Sequence, residues 1–340
     1  MVSGAVMAAE MAEQPEVLGR LAAERAALVA RVRAVVPAHV AGTVLIARGS
    51  SDHAAIFGRY AIELASGRPV ALSAPSLHTL YGATVDYSGY LAVAVSQSGR
   101  TPEIVAVAKT LARSGARTVA VTNSPSSPLG AAVEVTIPLD AGEERAVPAT
   151  KTFTAQLAAF SFVAEAVGRV SWGDSDWGRL PEQVSAALDD DESPRAAARA
   201  IGDAGGLLVV GRGFMFAIAL EAALKLKETA GILAEGYSAA DLRHGPIAVV
   251  QTGVPVLAFR TSGPAAKDMD DLIRSLRDKG AQVITVSDEN GDIPLPRNAP
   301  EPLALIPAAV RAQQIALELA RLRGMDPDSP AGLSKVTLTR

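Results

Sequence analysis

The chain has 340 residues, no cysteine and a formal net charge of -4 at pH 7. The lack of cysteine excludes disulfides, thiolate metal sites and cysteine nucleophiles, including the amino-terminal cysteine of one class of glutaminase. The net charge is negative and no run is rich in lysine and arginine. Both observations argue against nucleic acid or an anionic membrane surface as the main partner, and they favour a small solute.

Length and composition indicate two α/β domains. A chain of this size can bury two ordinary cores, and 49% apolar with only 4% aromatic residues is typical of parallel strands covered by alanine-rich helices. Residues 1–30 combine helical periodicity with charges throughout, which predicts a helical arm and neither a signal peptide nor a membrane span. We therefore expect a cytoplasmic protein.

Short β-branched runs alternate with helical stretches along the chain. The first half contains "GTVLIARGS", "RPVALSAP", "GYLAVAVSQSG", "ARTVAVTNS" and "VEVTIPLD". Most of these runs lack an apolar/polar alternation, which predicts strands buried on both faces of a parallel sheet. An acidic, proline-containing stretch near Asp190 interrupts the rhythm before strands resume in "GGLLVVGRG". We predict domains at 31–190 and 191–325, followed by a tail at 326–340.

The two halves share a turn. Arg48-Gly49 follows the first strand of one half and Arg212-Gly213 follows the first strand of the other, each succeeded by a helix that ends near a glycine. A duplication explains this similarity, and so does a glycine turn of the kind that any two βα units share.

Two hydroxyl-rich loops follow predicted strands. In "SQSGRTP" a helix would open at Pro102, so side chains and backbone N–H groups meet at a positive helix end that can hold a phosphate. "ARGSSDH" repeats the arrangement, and neither loop fits a dinucleotide or P-loop motif, which leaves a phosphorylated small molecule. An N-cap and turn without a ligand is the alternative. The candidate donors are Ser50, Ser51, Ser96, Gln97, Ser98 and Thr101.

Acidic and basic groups gather in "LEAALKLKETAGILAEGYSAADLRHGP". Glu221, Lys225 and Glu228 fall at i, i+4 and i+7, so one helical face carries acid, base and acid. The preceding strand and turn place the start of this helix at the carboxyl edge of a sheet, where ligands bind. A solvated ladder of surface pairs would give the same spacing. His244 precedes Gly-Pro and is either a proton shuttle in a turn or a structural residue.

The motifs "GSS", "SQSGRTP", "ATKTFTAQL", "LEAALKLKE", "LRHGP" and "DPDSPAGLSKVT" resemble, in order and spacing, the isomerase half of glucosamine-6-phosphate synthase. That half is a tandem pair of sugar isomerase (SIS) domains. The resemblance covers nearly the whole chain and implies two parallel sheets flanked by helices, with an N-terminal helical arm and a C-terminal tail. By position, the hydroxyl-rich loops match the family's sugar-phosphate loops.

The same resemblance implies catalytic roles. Glu228 lies where the family has the base that moves a proton between sugar C1 and C2, and Glu221 and Lys225 lie where supporting residues occur. His244 matches the ring-opening histidine, which in the family comes from the other subunit of a dimer. Lys335 matches the lysine that forms a Schiff base with the open-chain ketose.

Two departures from the family pattern concern the sugar contacts. Ala149 replaces a serine that contacts substrate, with Val147 beside it among the implied substrate-binding residues, and the tail is one residue shorter just after Lys335. The family's glutaminase half does not precede the arm in this sequence. We therefore expect that glutamine is not the nitrogen source.

These features predict an enzyme that needs no metal or cofactor and acts on a sugar phosphate. The family resemblance implies a homodimer. Our first hypothesis is a glucosamine-6-phosphate deaminase, which converts glucosamine 6-phosphate and water to fructose 6-phosphate and ammonia. A fructosamine-6-phosphate deglycase or another phosphosugar isomerase is an alternative. A non-catalytic sugar-phosphate sensor is a further one, although it would keep the phosphate loops and lose the acid, histidine and lysine, which are all present.

Overall fold

The computed structural model of the chain describes residues 3–335. They form two compact units, each built on a five-stranded parallel sheet. The N-lobe comprises Glu16–Glu144 and Lys151–Gly173, and the C-lobe comprises the described residues up to Pro15, Arg145–Thr150 and Asp174–Lys335. The predicted α/β class with two parallel sheets flanked by helices is confirmed.

The N-lobe sheet has the strand order β2-β1-β3-β4-β5. Its strands are β1 (Gly42–Ile46), β2 (Val70–Leu72), β3 (Tyr90–Val95), β4 (Arg117–Thr122) and β5 (Val135–Pro138). The helices of this part of the chain are α2 (Gln14–Arg33), α3 (Ser50–Ser66), α4 (Ser76–Thr79), α5 (Pro102–Arg113) and α6 (Lys151–Val167), with a 3-10 turn at Gly130–Ala132.

The N-lobe core is built around α6, whose residues are buried along almost the whole helix. It packs against α3 at Gly58, where an added Cβ atom would lie 2.4 Å from the ring of Phe160. The central strands β1 and β3 are buried on both faces, as expected for strands covered by helices on either side. This packing holds the loops that leave the two strands in fixed positions.

The C-lobe sheet has the order β10-β9-β8-β6-β7. Its strands are β6 (Gly206–Gly211), β7 (Leu233–Ser238), β8 (Pro255–Arg260), β9 (Gln282–Ser287) and β10 (Ile293–Pro294). Its helices are α1 (Ala5–Ala12), α7 (Asp174–Asp189), α8 (Glu192–Ile201), α9 (Met215–Ala230), α10 (Ala239–Arg243), α11 (Ala266–Asp278) and α12 (Glu301–Leu322), with a 3-10 turn at Pro246–Val249.

Helix α12 is the central helix of the C-lobe and packs against α7, α8 and α9. By length and composition it is the one helix of residues 3–335 that could cross a membrane, but 94% of its apolar window is buried inside the fold. Burial of this kind is typical of a core helix.

Both sheets have the same topology. Counting each sheet's strands from its own first strand, both read 2-1-3-4-5, which is the order that a duplication would produce. In this order the chain first moves to one side of the first strand and then to the other. A crevice therefore opens at the carboxyl ends of the first and third strands, where open α/β sheets bind ligands.

Candidate active site

The two hydroxyl-rich loops lie side by side at the N-lobe crevice. β1 pairs with β3 from Gly42↔Tyr90 to Ile46↔Ala94, so the loops that leave their carboxyl ends are neighbours. One loop leads into α3 at Ser50 and the other leads into α5 at Pro102. The predicted donors are thus brought together in this lobe, at two helix N-termini that favour an anion.

The loop from Ser96 to Thr101 is held by its own hydrogen bonds. The Ser96 and Thr101 hydroxyls lie 3.1 Å apart, and the Arg100 N–H donates to the Ser98 hydroxyl at 3.2 Å. Gly99 has a φ of 62°, and an added Cβ atom would lie 1.9 Å from the Ser127 hydroxyl. Only glycine fits this turn.

Hydrogen bonds from neighbouring residues of the N-lobe also hold the loop from Ser96 to Thr101. The Gln97 carbonyl accepts from the Asn123 N–H at 3.0 Å and from the Thr122 hydroxyl at 3.3 Å. The Gly99 carbonyl accepts from the Leu129 N–H at 3.0 Å. These acceptors are satisfied inside the lobe, while the side chains of Gln97 and Ser98 keep part of their surface exposed.

An ion pair that the sequence did not reveal joins the two loops. Arg48, just before Gly49, donates from Nε and Nη2 to the two oxygens of Glu103 in the first turn of α5, both at 3.0 Å. The Glu103 side chain is only 6% exposed, whereas that of Arg48 is 48% exposed. Opposite charges in two loops predict a contact only when the strands before them are known to be neighbours.

In the C-lobe, α9 carries the acid–base–acid face. Lys225 is 1% exposed and lies between Glu221, at 3.5 Å and 2% exposed, and Glu228, to which its Nζ donates a short hydrogen bond. Glu228 is 22% exposed. Two members of the trio are buried, so the solvated surface ladder is wrong. A buried ammonium beside two carboxylates holds the Glu228 carboxylate in one orientation.

Glu228 and His244 lie at opposite edges of the C-lobe sheet. β6 and β7 are parallel, so α9 begins at the carboxyl edge, as predicted, and returns to the amino edge. Glu228 is in its last turn, about 20 Å along the axis from the helix start. His244 ends α10, directly past the carboxyl end of β7, and is exposed. One chain therefore does not bring the two side chains together within this lobe.

The tail brings Lys335 to the loop that holds two predicted sugar contacts. The Lys335 ammonium donates to the Ala146 carbonyl at 2.7 Å, and the Val147 N–H donates to the Asp328 carbonyl at 3.0 Å. Val147 and Ala149 are half-buried and alternate with buried neighbours. Lys335, Val147 and Ala149 thus form one cluster of the C-lobe.

Helix α1 supports this cluster. The Asp328 carboxylate accepts from the Val6 and Met7 N–H groups at 3.1 and 2.7 Å, so a tail residue caps the first turn of α1. At the other end of the helix, the buried carboxylate of Glu10 accepts from the backbone N–H groups of Arg145 and Ala146. The N-terminal helix, the tail and the loop form one hydrogen-bonded unit.

The C-lobe crevice, at the ends of β6 and β8, contains carboxylates. Asp288 accepts twice from the Ser262 N–H, at 3.0 and 2.9 Å, and Glu301 lies so near Gly263 that an added Cβ atom would be 2.6 Å from its Oε2. Burial raises the pKa of Glu301, and the nearby Asp288 charge raises it further. Arg260, the last residue of β8, lies 3.4 Å from the Asp288 carboxylate, so the Ser262 N–H and the Arg260 guanidinium are both bound to a carboxylate at this edge.

Comparison with known proteins agrees with these features. The family model "SIS domain" matches residues 42–166 and 200–311. A crystal structure from Silicibacter pomeroyi, assigned to the phosphosugar isomerases, is 36% identical with a TM-score of 0.82 and covers 95% of this chain and 99% of that one. The C-terminal domain of glucosamine-fructose-6-phosphate aminotransferase from Francisella tularensis has the same fold at 24% identity and a TM-score of 0.86, covering 96% and 98% of the two chains.

Curated relatives are longer. Glutamine–fructose-6-phosphate aminotransferase from Thermococcus kodakarensis is 34% identical over 308 residues, which are 86% of this chain and 51% of the relative. The enzyme of the same name from Thermus thermophilus is also 34% identical and matches 97% of this chain and 58% of its own. The chain thus spans about half the length of the curated relatives that it matches.

Proposed function

The chain belongs to the SIS domain family of phosphosugar isomerases, and on that premise we propose that it is a glucosamine-6-phosphate deaminase. In this proposal glucosamine 6-phosphate and water give fructose 6-phosphate and ammonia, without glutamine, in the cytoplasm. The observation that carries it is the trio on α9, because a buried Lys225 orients a partly exposed Glu228 carboxylate as a proton carrier requires.

The substrate phosphate binds at the N-lobe crevice in this proposal. Hydroxyls, an amide and two helix N-termini bind a phosphate dianion through neutral donors, each strengthened by the charge of the acceptor. The binding residues are Ser50, Ser51, Ser96, Gln97, Ser98 and Thr101, with Val147 and Ala149 along the sugar.

The chemistry is proton transfer followed by loss of ammonia. His244 moves the anomeric proton to the ring oxygen and opens the sugar. Glu228 then takes the proton from C2 and returns it to C1. A proton also passes from the amine nitrogen to O1, so that the aldehyde becomes a CH2OH group and the amine becomes a C2 imine. Water, or first the Lys335 amine, adds at C2 and the C2–N bond to ammonia breaks. Water finally releases the ketone from Lys335.

The proposal requires a second copy of the chain. In this proposal the protein is a homodimer with shared active sites, and the histidine of each site comes from the partner subunit. The positions of Glu228 and His244 at opposite edges of one sheet support this arrangement.

Ammonia is a product in the proposed reaction. The 340 residues contain no cysteine, so the ammonia-releasing step in this proposal uses water and the Lys335 amine and no cysteine nucleophile.

The test is an assay of ammonia and fructose 6-phosphate from glucosamine 6-phosphate, without glutamine. Glu228→Gln and Lys335→Ala should lose activity, and Lys227→Ala, at an exposed lysine beside the trio, should keep it. Turnover of a fructosamine 6-phosphate or another phosphosugar without ammonia from glucosamine 6-phosphate would reject the deaminase. Binding without any turnover would favour the sensor.

A further inference from the structure

The Arg48–Glu103 pair occupies a special place in the N-lobe. It joins residues from the two loops that flank the crevice, and it is bidentate, with both bonds at 3.0 Å. Bidentate pairs of this kind fix the relative orientation of the two side chains as well as the distance between them. The pair therefore links the two proposed phosphate loops directly.

Glu103 lies where its negative charge would oppose the binding of a phosphate unless a cation neutralised it. Its carboxylate is buried in the first turn of α5, two residues after Thr101, which is where an incoming phosphate would meet the helix. A carboxylate there interacts favourably with the positive end of the helix dipole, and it repels a second anion. Arg48 neutralises that charge. Burial raises the pKa of Asp52 in the first turn of α3, and the charges of His53 and Arg48 offset only part of this rise.

We propose that Arg48 is a positioning residue of the phosphate site: by pairing with Glu103 it holds the β1 and β3 loops at the spacing that a phosphate needs and neutralises the carboxylate beneath the anion. This inference rests on the proposed function only in taking the crevice as the phosphate site. It does not require Arg48 to touch the ligand.

A double-mutant cycle tests the proposal. The variants are Arg48→Met, Glu103→Gln and the double variant, with inorganic phosphate and fructose 6-phosphate as calorimetric probes. Arg48→Met leaves a buried charge beside the anion and should weaken both Kd values by about tenfold or more. The double variant removes both charges and should recover most of this loss. Glu103→Gln alone should change either Kd by less than about threefold.

A matched control lies at the other edge of the same sheet. Arg117 and Glu134 form a comparable pair, with Arg117 Nη2 at 2.6 Å from Glu134 Oε2, at the amino ends of β4 and β5. Arg117→Met should leave both Kd values unchanged. Equal losses in Arg48→Met and Arg117→Met would point to general destabilisation and overturn the proposal.

Other outcomes would distinguish a positioning role for Arg48 from alternative roles. If the double variant binds phosphate as weakly as Arg48→Met does, Arg48 is a direct phosphate ligand. If Arg48→Met binds phosphate as tightly as the wild type, the pair is merely structural. Each result overturns the positioning role. In an active enzyme, Arg48→Met should raise KM and leave kcat nearly constant. Wild-type protein that binds phosphate and lacks deaminase activity would sink the proposed function alone, whereas absence of any phosphate binding would sink both.

Discussion

The carboxyl edges of the two sheets share a topology and differ in chemistry. At the N-lobe edge the crevice is flanked by hydroxyl-rich loops, and its carboxylate Glu103 is neutralised by Arg48. At the C-lobe edge Asp288 pairs with Arg260 and accepts from the Ser262 N–H, and the carboxylate of Glu301 lies against Gly263. Strand order creates a crevice in both lobes, but side chains decide whether it can accept an anion.

The comparison suggests a division of labour. The N-lobe binds the phosphate in our proposal, and the C-lobe uses other parts of its surface, the end of α9 and the tail, for proton transfer and carbonyl chemistry. Variants of the N-lobe crevice should then act mainly on KM, and variants of the C-lobe groups mainly on kcat.

The largest expected effect is on Glu228. Glu228→Gln should lower kcat by about 10²- to 10⁴-fold because the amide cannot carry the proton between C2 and C1. The KM for glucosamine 6-phosphate should change little. Steady-state kinetics of Glu228→Gln and of a control variant, Glu318→Gln, measure this effect. Glu318 is a carboxylate on α12 that pairs with Arg195 and Arg321. A rise in KM at constant kcat would contradict the division of labour.

A matched pair of serines tests the two crevices directly. Ser98→Ala should raise KM about tenfold to a hundredfold, the usual effect of losing a hydrogen bond to a charged group. Ser262→Ala, at the corresponding loop of the C-lobe, should not change KM, since the proposed phosphate site lies in the N-lobe and the carboxylates of Asp288 and Glu301 lie beside Ser262 and Gly263. Similar effects at both serines would break the comparison.

A smaller effect is expected at the tail. Asp328→Asn removes a negative charge from the N-terminus of α1 and should cost about 0.3–1 kcal/mol of local stability. Hydrogen exchange at Val6 and Met7 should become faster, and borohydride should trap less fructose 6-phosphate on Lys335. Unchanged exchange together with unchanged trapping would show that the cap does not position the tail.

The smallest effect concerns the C-lobe crevice and pH. The folded-state pKa of Glu301 is raised above its ordinary value of 4.5. Between these two pKa values the folded state binds more protons than the unfolded state, so stability falls as pH rises through that interval. Glu301→Gln should remove this fall, which thermal denaturation from roughly pH 4 to pH 8 can measure. Identical pH profiles for both proteins would contradict the assignment.

Prediction from the sequence succeeded where the signal is local. Buried strands show as runs without alternation, and the spacing of Glu221, Lys225 and Glu228 places them on one helical face. It failed to choose between a solvated and a buried ladder, because burial of Lys225 depends on how α9 packs in the C-lobe. The meeting of all predicted groups in one site stays a prediction.

The sequence by itself determined the alternation of strands and helices, the hydroxyl-rich loops and the SIS resemblance, because periodicity and motifs are properties of neighbouring residues. Only the tertiary structure decided that β1 pairs with β3, that Arg48 meets Glu103, that Lys335 reaches Ala146, and that carboxylates occupy the second crevice. These contacts join residues far apart in the chain. Strand order and packing bring them together, and no local pattern encodes them.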